Sequence, residues 1–207
     1  EIMQMMRSAI STTGSGNPTG IVFDPSGTKL FAVDKNSDKV YQYVVDVPWV
    51  ATSVNATASD SSHCDCNPIS FSITDQEKID EGITFDRSGT KMFIVGSSGA
   101  TDNNKGEVNT YDVTEPYSVT SASHASVYTM SFTGANPSGI TFSNSGTKMF
   151  ISDQGTNTIR AYALNVPFIT SSNSTGDANT PSLSMSGVGG SVRDLWFDAT
   201  GTKLFIL

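Results

Sequence analysis

The chain has little charge and few of the side chains that mark common active sites. Only 15% of its 207 residues are charged, and it contains two cysteines and two histidines. Twelve Lys and Arg stand against twenty Asp and Glu, which gives a net charge of -8. The chain therefore lacks the basic surface that binds nucleic acid by releasing counterions from a phosphate backbone. We expect no nucleic-acid partner.

Long apolar runs are also missing. No stretch approaches the roughly 18 apolar residues that a membrane-spanning helix needs, and we expect no membrane span. The opening "EIMQMMRSAIST" lacks the basic flank and apolar run of a signal peptide. Because the chain begins with Glu1, we expect either a processed protein or a fragment whose targeting signal lies outside this sequence.

What the sequence does contain is a repeat. "GIVFDPSGTKLFAVD" begins at Gly20 and returns as "GITFDRSGTKMFIVG" from Gly82, "GITFSNSGTKMFISD" from Gly139 and "DLWFDATGTKLFIL" from Asp194. These starts are 62, 57 and 55 residues apart, which is the length of about four strands with their turns. One repeat therefore corresponds to a unit of four strands.

Each copy has the chemistry of a tight hairpin between two apolar strands. Asp24 offers a side-chain acceptor, Pro25 presets φ, and Gly27 is free to take a positive φ. The glycine is the residue that all four turns share, so we predict structural turns at Gly27, Gly89, Gly146 and Gly201.

Two further segments recur in each complete unit. "VYQYVVDVPWVATS" from Val40 has counterparts from Val108 and Ile159, and each has a tyrosine followed by a proline-aromatic pair. We predict a strand tyrosine with its ring packed and its hydroxyl in water, and an aromatic ring that fills the gap to a neighbouring unit. Residues 68–74, 126–132 and 181–187 alternate polar with apolar, as half-exposed outer strands do.

These features predict an all-β fold, a β-propeller of four-stranded antiparallel blades. We expect about three complete blades plus partial blades at both ends, all in one propeller domain. Residues 1–13 would be the outer strand of a preceding blade, and residues 192–207 the inner two strands of an incomplete one; the complete blades would be 14–76, 77–135 and 136–191. Because a closed ring typically has four to eight blades, we expect the chain to be part of a longer propeller. Self-assembly through the exposed edge is the alternative.

The hairpin sequences also resemble known propeller repeats. "PSGTKLFAVD" and "SGTKMFISD" are similar to the inner hairpins of YVTN-type and NHL-type blades. The whole unit, with its "VYQY...VPW" segment, resembles a repeat of marine phage and bacterial surface or structural proteins. The resemblance covers nearly the entire chain and implies the fold. It implies little about activity, because propellers host binding, scaffolding and several enzyme chemistries.

One candidate metal site lies in the segment "SHCDCNP". His63, Cys64 and Cys66 supply three possible zinc ligands, but no second pair of ligands occurs elsewhere in the sequence. A disulfide between Cys64 and Cys66, or unpaired thiols, is the favoured interpretation, and an oxidising compartment would favour the disulfide.

A second candidate is the acidic segment "DKNSD". Asp34, Asn36 and Asp38 have the spacing that opens a calcium loop, but Lys39 and Val45 stand where that loop needs glycine and glutamate. We interpret the segment as a polar turn. Calcium binding at this turn is kept as an alternative, and no cofactor is predicted.

A third candidate lies at the channel end of the inner strands, where many propellers bind ligands. Asp80, Glu81, Arg193 and Asp194 fall at the starts of these strands. Gluconolactonase-like propeller hydrolases hold a divalent metal in that region with acidic and amide side chains, although no residue-by-residue match to them can be made. Serine is abundant, but no G-x-S-x-G nucleophile motif is present.

Two sequons supply possible glycosylation sites. Asn55 and Asn173 each begin an N-x-S/T triplet in the loop before an outer strand, which would lie on the outer rim of a propeller.

The sequence supports two functional hypotheses. The first is a non-enzymatic extracellular, cell-surface or virion module for structure or adhesion, whose partners are protein or glycan surfaces or further copies of the assembly. The alternative is a metal-dependent lactonase of the gluconolactonase-like propeller class. Acidic, Asn or His residues at the starts of further inner strands would favour the enzyme.

Overall fold

The protein is an all-β propeller, and every described sheet is antiparallel. Its structure, a computed structural model, describes residues 16–53, 68–75, 79–97, 105–130, 135–173, 181–187 and 189–207. Within these ranges three four-stranded sheets and one two-stranded sheet follow one another along the chain. This confirms the predicted fold class. The outer strand predicted over residues 1–13 lies outside the described residues.

Each sheet is one blade, and its strands pair in chain order. The first blade comprises β1 (Pro18–Phe23), β2 (Lys29–Asp34), β3 (Lys39–Val44) and β4 (Ile69–Ser72). The second comprises β5 (Ile79–Phe85), β6 (Lys91–Ser97), β7 (Gly106–Val113) and β8 (Ala122–Thr129). The third comprises β9 (Pro137–Phe142), β10 (Lys148–Asp153), β11 (Thr158–Ala163) and β12 (Ser182–Ser184), and the two-stranded fourth comprises β13 (Leu195–Phe197) and β14 (Leu204–Ile206).

The four inner hairpins turn at glycines with positive φ. The φ angles are 71° at Gly27, 72° at Gly89, 69° at Gly146 and 73° at Gly201. In the first hairpin the Asp24 carboxylate accepts hydrogen bonds from the Ser26 hydroxyl and, at 2.7 Å, from the Lys29 backbone N–H. The same aspartate contacts recur at the second and fourth hairpins. The turn residues of the repeat therefore shape the hairpin.

The hydrophobic core lies between successive blades. One cluster joins the first blade to the second, and another joins the second to the third. Their fully buried members include Phe31, Val33 and Val40 facing Met92, Ile94 and Tyr111, and then Phe93, Val95 and Val108 facing Met149, Ile151 and Tyr162. Each blade is thus held by apolar contact with its neighbours, as in other stacked repeats.

The repeated tyrosine differs from its prediction. Tyr43, Tyr111 and Tyr162 are 3%, 0% and 0% exposed, so the hydroxyls do not reach water. The Tyr43 hydroxyl has no hydrogen-bond partner among the described residues, and burial raises the pKa of Tyr43. The prediction of a wet hydroxyl is wrong: Tyr111 and Tyr162 are buried in the clusters between blades, and Tyr43 is buried in a cluster of its own blade.

The aromatic after each proline covers its own turn. Trp49 and Tyr117 pack on the hairpins of their own blades, with ring centroids 5.4 Å from Phe23 and 5.3 Å from Phe85. Tyr117 and Phe168 also pack against the apolar clusters between blades, and the Phe168 ring lies 6.5 Å from Phe93 of the preceding blade, so these two rings fill the gap as predicted. Short 3-10 helices follow the aromatic residues at Ala51–Ser53, Val119–Ser121 and Thr170–Ser172, and the second and third of them contact the preceding blade. For example, the Val119 N–H donates to Gln42 Oε1 of the preceding blade at 3.0 Å.

The inner strands approach one another most closely at glycines. A β-carbon added to Gly82 would lie 2.8 Å from the Ser138 carbonyl oxygen and 3.1 Å from Gly139 Cα. Because backbone atoms cannot move aside cheaply, we expect Gly82→Ala to lower the free energy of unfolding by roughly 2–3 kcal/mol. Urea unfolding measures this loss. Gly187→Ala is the matched control, since a β-carbon there meets nothing within 4 Å; equal losses in both variants would contradict the close approach.

No helix in the described ranges is long and apolar enough to cross a bilayer.

Candidate functional site

The candidate site lies at the channel end of the propeller, where each inner strand begins and the second strand of its blade ends. The hairpin registers bring these two segments together, with Gly20 opposite Val33 and Gly139 opposite Ser152. The inner positions Gly20, Gly82 and Gly139 correspond to Asp194 in the fourth blade. The repeat therefore places one carboxyl group at a position that is otherwise glycine.

Asp194 lies against the inner strand of the third blade. A β-carbon on Gly139 would lie 2.5 Å from Asp194 Oδ1 and 2.9 Å from Ser152 Oγ, so both oxygens face the same small volume. The Leu195 backbone N–H donates to Asp194 Oδ1 at 2.8 Å. Burial raises the pKa of Asp194 to about 6, and the bond from Leu195 opposes this rise. Asp194 is thus a half-buried carboxyl that titrates near neutral pH.

Two serines connect the third and fourth blades beside Asp194. The Ser138 hydroxyl donates to the Val192 carbonyl oxygen at 3.0 Å, and its oxygen is 3.1 Å from Ser152 Oγ. Ser152 is fully buried, whereas the equivalent residues of the first two blades are Val33 and Val95. Two departures from the repeat, a serine for valine and an aspartate for glycine, therefore lie side by side.

Polar pairs join neighbouring blades at this end. Lys35 Nζ is 2.9 Å from Glu81 Oε1, an ion pair between the first and second blades. Gln154 and Arg193 occupy the equivalent positions in the third and fourth blades. One amide atom of Gln154 is 3.2 Å from both Nη1 and Nη2 of Arg193, and since a guanidinium only donates, this atom is the oxygen.

Two buried carboxylates end the second strands. Asp34 Oδ1 accepts from the Asn36 and Ser37 N–H groups at 3.1 and 2.8 Å, and Asp34 Oδ2 accepts from the Asn17 N–H. Both oxygens are therefore engaged in organising the turn. Asp153 Oδ1 likewise accepts three backbone N–H bonds, whereas its buried Oδ2 has no partner among the described residues.

The site residues that the sequence suggested do not all lie together in the structure. It places Arg193 against Gln154 and Asp194 against Gly139, whereas Glu81 is paired with Lys35. Asp80 is described only through its backbone, which pairs with Gly96. Asp38 lies in the turn after β2 with φ 49°. His63, Cys64, Cys66 and Asn55 lie outside the described residues, and Asn173 Nδ2 donates to the Tyr128 hydroxyl at 2.9 Å.

The described residues at this end do not fit a divalent metal. No group of three or more His, Cys, Asp or Glu in the described part of the chain is placed to hold one. Among the carboxylates at the channel end, Glu81 is bound to an ammonium group and Asp34 to turn N–H groups. The guanidinium of Arg193 lies at the same end, and a second cation there would be repelled.

Sequence reasoning missed Ser138, Ser152, Asp153 and Gln154. A comparison of the four repeats position by position carries a signal for Ser152, since a hydroxyl replaces valine. Nothing in the sequence signals the hydrogen-bonded pair of Gln154 and Arg193, because that pair depends on how two blades face each other.

Comparisons with known proteins show the fold. No protein-family model matches the chain, and no curated protein matches it in sequence. The structure of a protein named as a 6-phosphogluconolactonase from Bacteroides uniformis aligns with a TM-score of 0.53 at 16% identity, over 95% of this chain and 48% of that one. The periplasmic gluconolactonase PpgL of Pseudomonas aeruginosa aligns with a TM-score of 0.54 at 16% identity, over 96% and 49%. The chain thus spans about half the length of these proteins.

These comparisons contradict the leading functional prediction. A non-enzymatic structural or adhesion module was expected, but two structures that share the fold, each with a TM-score above 0.5, carry the names of lactonases. The expectation that the protein is not an enzyme is wrong for the same reason. At 16% identity the likeness itself shows the fold alone, so the activity has to be argued from the site.

Proposed function

We propose that the chain forms part of an enzyme that hydrolyses sugar lactones. The observation that carries the proposal is Asp194, a carboxyl group at the channel end where the other three blades have glycine. The named activities of the two structural neighbours supply the substrate class, a cyclic ester of a sugar acid. In the reaction, water adds to the lactone carbonyl carbon, the ring C–O bond breaks, and an open-chain hydroxy acid is released.

Asp194 would act as the general base. With a pKa of about 6, the carboxylate is charged at neutral pH but is still a better proton acceptor than an ordinary aspartate. It takes a proton from the attacking water and, as the ring C–O bond breaks, returns that proton to the departing ring oxygen. The bond from the Leu195 N–H fixes one carboxylate oxygen and leaves the other for the water. No step is assigned to a metal, because the described donor groups at this end do not fit one.

The activity test is direct. The purified protein should accelerate hydrolysis of glucono-1,5-lactone above the spontaneous rate, with acid release followed in a pH-stat. No acceleration over heat-denatured protein would overturn the proposal.

The pH dependence gives a second test. Because the base must be deprotonated, we expect kcat/KM to rise between pH 5 and pH 7 with a midpoint near the Asp194 pKa of about 6. A base with the usual aspartate pKa near 3.9 would leave kcat/KM flat across this range. Initial rates in buffers of constant ionic strength, corrected for spontaneous hydrolysis, separate the two profiles.

Two further expectations remain our proposals. The hairpin sequences, with their shared turn glycine, support a relationship to YVTN-type and NHL-type blades. The Ser, Thr and Asn-rich, weakly charged composition supports a location outside the cell, at its surface or in a virion.

A further inference from the structure

The polar pair between the third and fourth blades differs in charge from its counterpart. Between the first and second blades, Lys35 meets the carboxylate of Glu81, and the two charges cancel. Between the third and fourth blades, Arg193 meets the neutral amide of Gln154. The same geometry therefore holds one neutralised cation and one cation that keeps its full charge.

Arg193 also keeps donors for a ligand. The side chain is exposed, and no carboxylate of the described residues forms an ion pair with it. Gln154 accepts one bond each from Nη1 and Nη2, which leaves three of the five N–H donors of the guanidinium. Arg193 is thus oriented without being neutralised.

We infer that Arg193, oriented by Gln154, is a carboxylate-binding site at the channel end that takes the open-chain hydroxy acid of a sugar lactone. A planar guanidinium and a carboxylate can form two parallel hydrogen bonds. Arg193 directly precedes Asp194 in the chain, and both lie at the same end of the blades. The choice of a sugar acid rests on the proposed function, whereas the binding of a carboxylate does not.

The site favours a singly charged carboxylate over a phosphate. Asp194 and Asp153 lie at the same end of the blades as Arg193. A dianion would meet more repulsion from these carboxylates than a monoanion.

The test measures binding of gluconate, the acid formed from glucono-1,5-lactone. Trp196, two residues after Asp194 and 47% exposed, serves as a fluorescent reporter in a Trp49→Phe background. Phenylalanine is tolerated at position 49 because Phe168 occupies the equivalent place in the third blade. We expect saturable binding of gluconate, with weaker binding of inorganic phosphate and no binding of glucose.

Gln154→Glu is the decisive variant. It would neutralise Arg193 just as Glu81 neutralises Lys35, in a geometry that the fold already accommodates, and it should weaken gluconate binding about tenfold or more. Asn144→Asp is the matched control, because it adds the same charge between the same two blades at the opposite end of the strands. It should leave gluconate binding unchanged.

The outcomes separate this inference from the proposed function. Equal gluconate affinity in the parent and Gln154→Glu proteins would overturn the inference, as would glucose binding as tightly as gluconate or phosphate binding more tightly. Gluconate binding that depends on Gln154, without any lactone hydrolysis, would support the inference and remove the proposed function. Lactone hydrolysis, together with gluconate binding that Gln154→Glu does not weaken, would support the proposed function and overturn the inference.

Discussion

Asp194→Asn is expected to lower kcat/KM for glucono-1,5-lactone by about two orders of magnitude or more, because general-base catalysis typically contributes 10²–10⁴-fold. Asparagine keeps the shape of the side chain, including the oxygen that accepts the Leu195 N–H at 2.8 Å. It cannot take a proton from water. The variant should also lose the rise in kcat/KM near pH 6, and initial rates across pH 5 to 8 measure both effects.

Asp198→Asn is the matched control for this variant. Asp198 follows the same inner strand, but it lies at the hairpin end, where hydrogen bonds from Thr200 and the Lys203 N–H lower its pKa to about 2. Its replacement should leave kcat/KM unchanged. Equal losses of activity in the two variants would contradict a special role for Asp194.

Stability distinguishes a catalytic Asp194 from a structural one. Because burial raises the pKa of Asp194, the folded protein binds a proton between about pH 4 and pH 6 that the unfolded chain does not. Stability therefore falls as pH rises through this window, and the charged carboxylate is a cost to the fold above it. Asp194→Asn should be at least as stable as the parent at pH 7.5. A lower melting temperature there would mean that the loss of activity reflects a damaged fold.

The blades could be predicted from sequence because their hairpins are local. Asp24 and Gly27 determine the first turn within a few residues, and the copies repeat that chemistry. Strand ends were less accurate, since β8 starts at Ala122 whereas the alternating pattern suggested residue 126. The contacts between blades were not predictable, because the burial of Tyr111 and the packing of Val119 on Gln42 depend on the neighbouring sheet.

Part of the candidate site could also be predicted from the sequence. Asp194 breaks the repeat, and a break in a repeat can be read from one sequence. The roles of Ser152 and Gln154 needed the spatial register between the third and fourth blades. The functional prediction failed because composition and repeat pattern describe the scaffold, and a scaffold of this kind serves enzymes and structural proteins alike.

The largest expected effect on stability is that of Gly89→Ala. Gly89 has φ 72°, a conformation that costs an L-residue roughly 1–2 kcal/mol, and a β-carbon there would overlap the ring of Tyr117. With the overpacking of the ring added, we expect a total loss of roughly 3–5 kcal/mol in the free energy of unfolding. Gly201→Ala has the same φ strain, but the nearest atom to its β-carbon is the flexible Asn144 amide at 3.0 Å, so a loss of roughly 1–2 kcal/mol is expected. Urea unfolding of both variants measures the difference.

A double-mutant cycle shows whether the ring causes that difference. Tyr117 is held over the turn at φ 54° by a 3.0 Å bond from its N–H to the Gly89 carbonyl oxygen, so glycine and ring require each other. If the overlap is the cause, Tyr117→Ala should destabilise the parent but recover roughly 1–3 kcal/mol of the loss in Gly89→Ala. Additive losses would place the whole cost in the backbone of the turn. In that case the aromatic ring would cover the hairpin without being the reason that glycine is required in the turn.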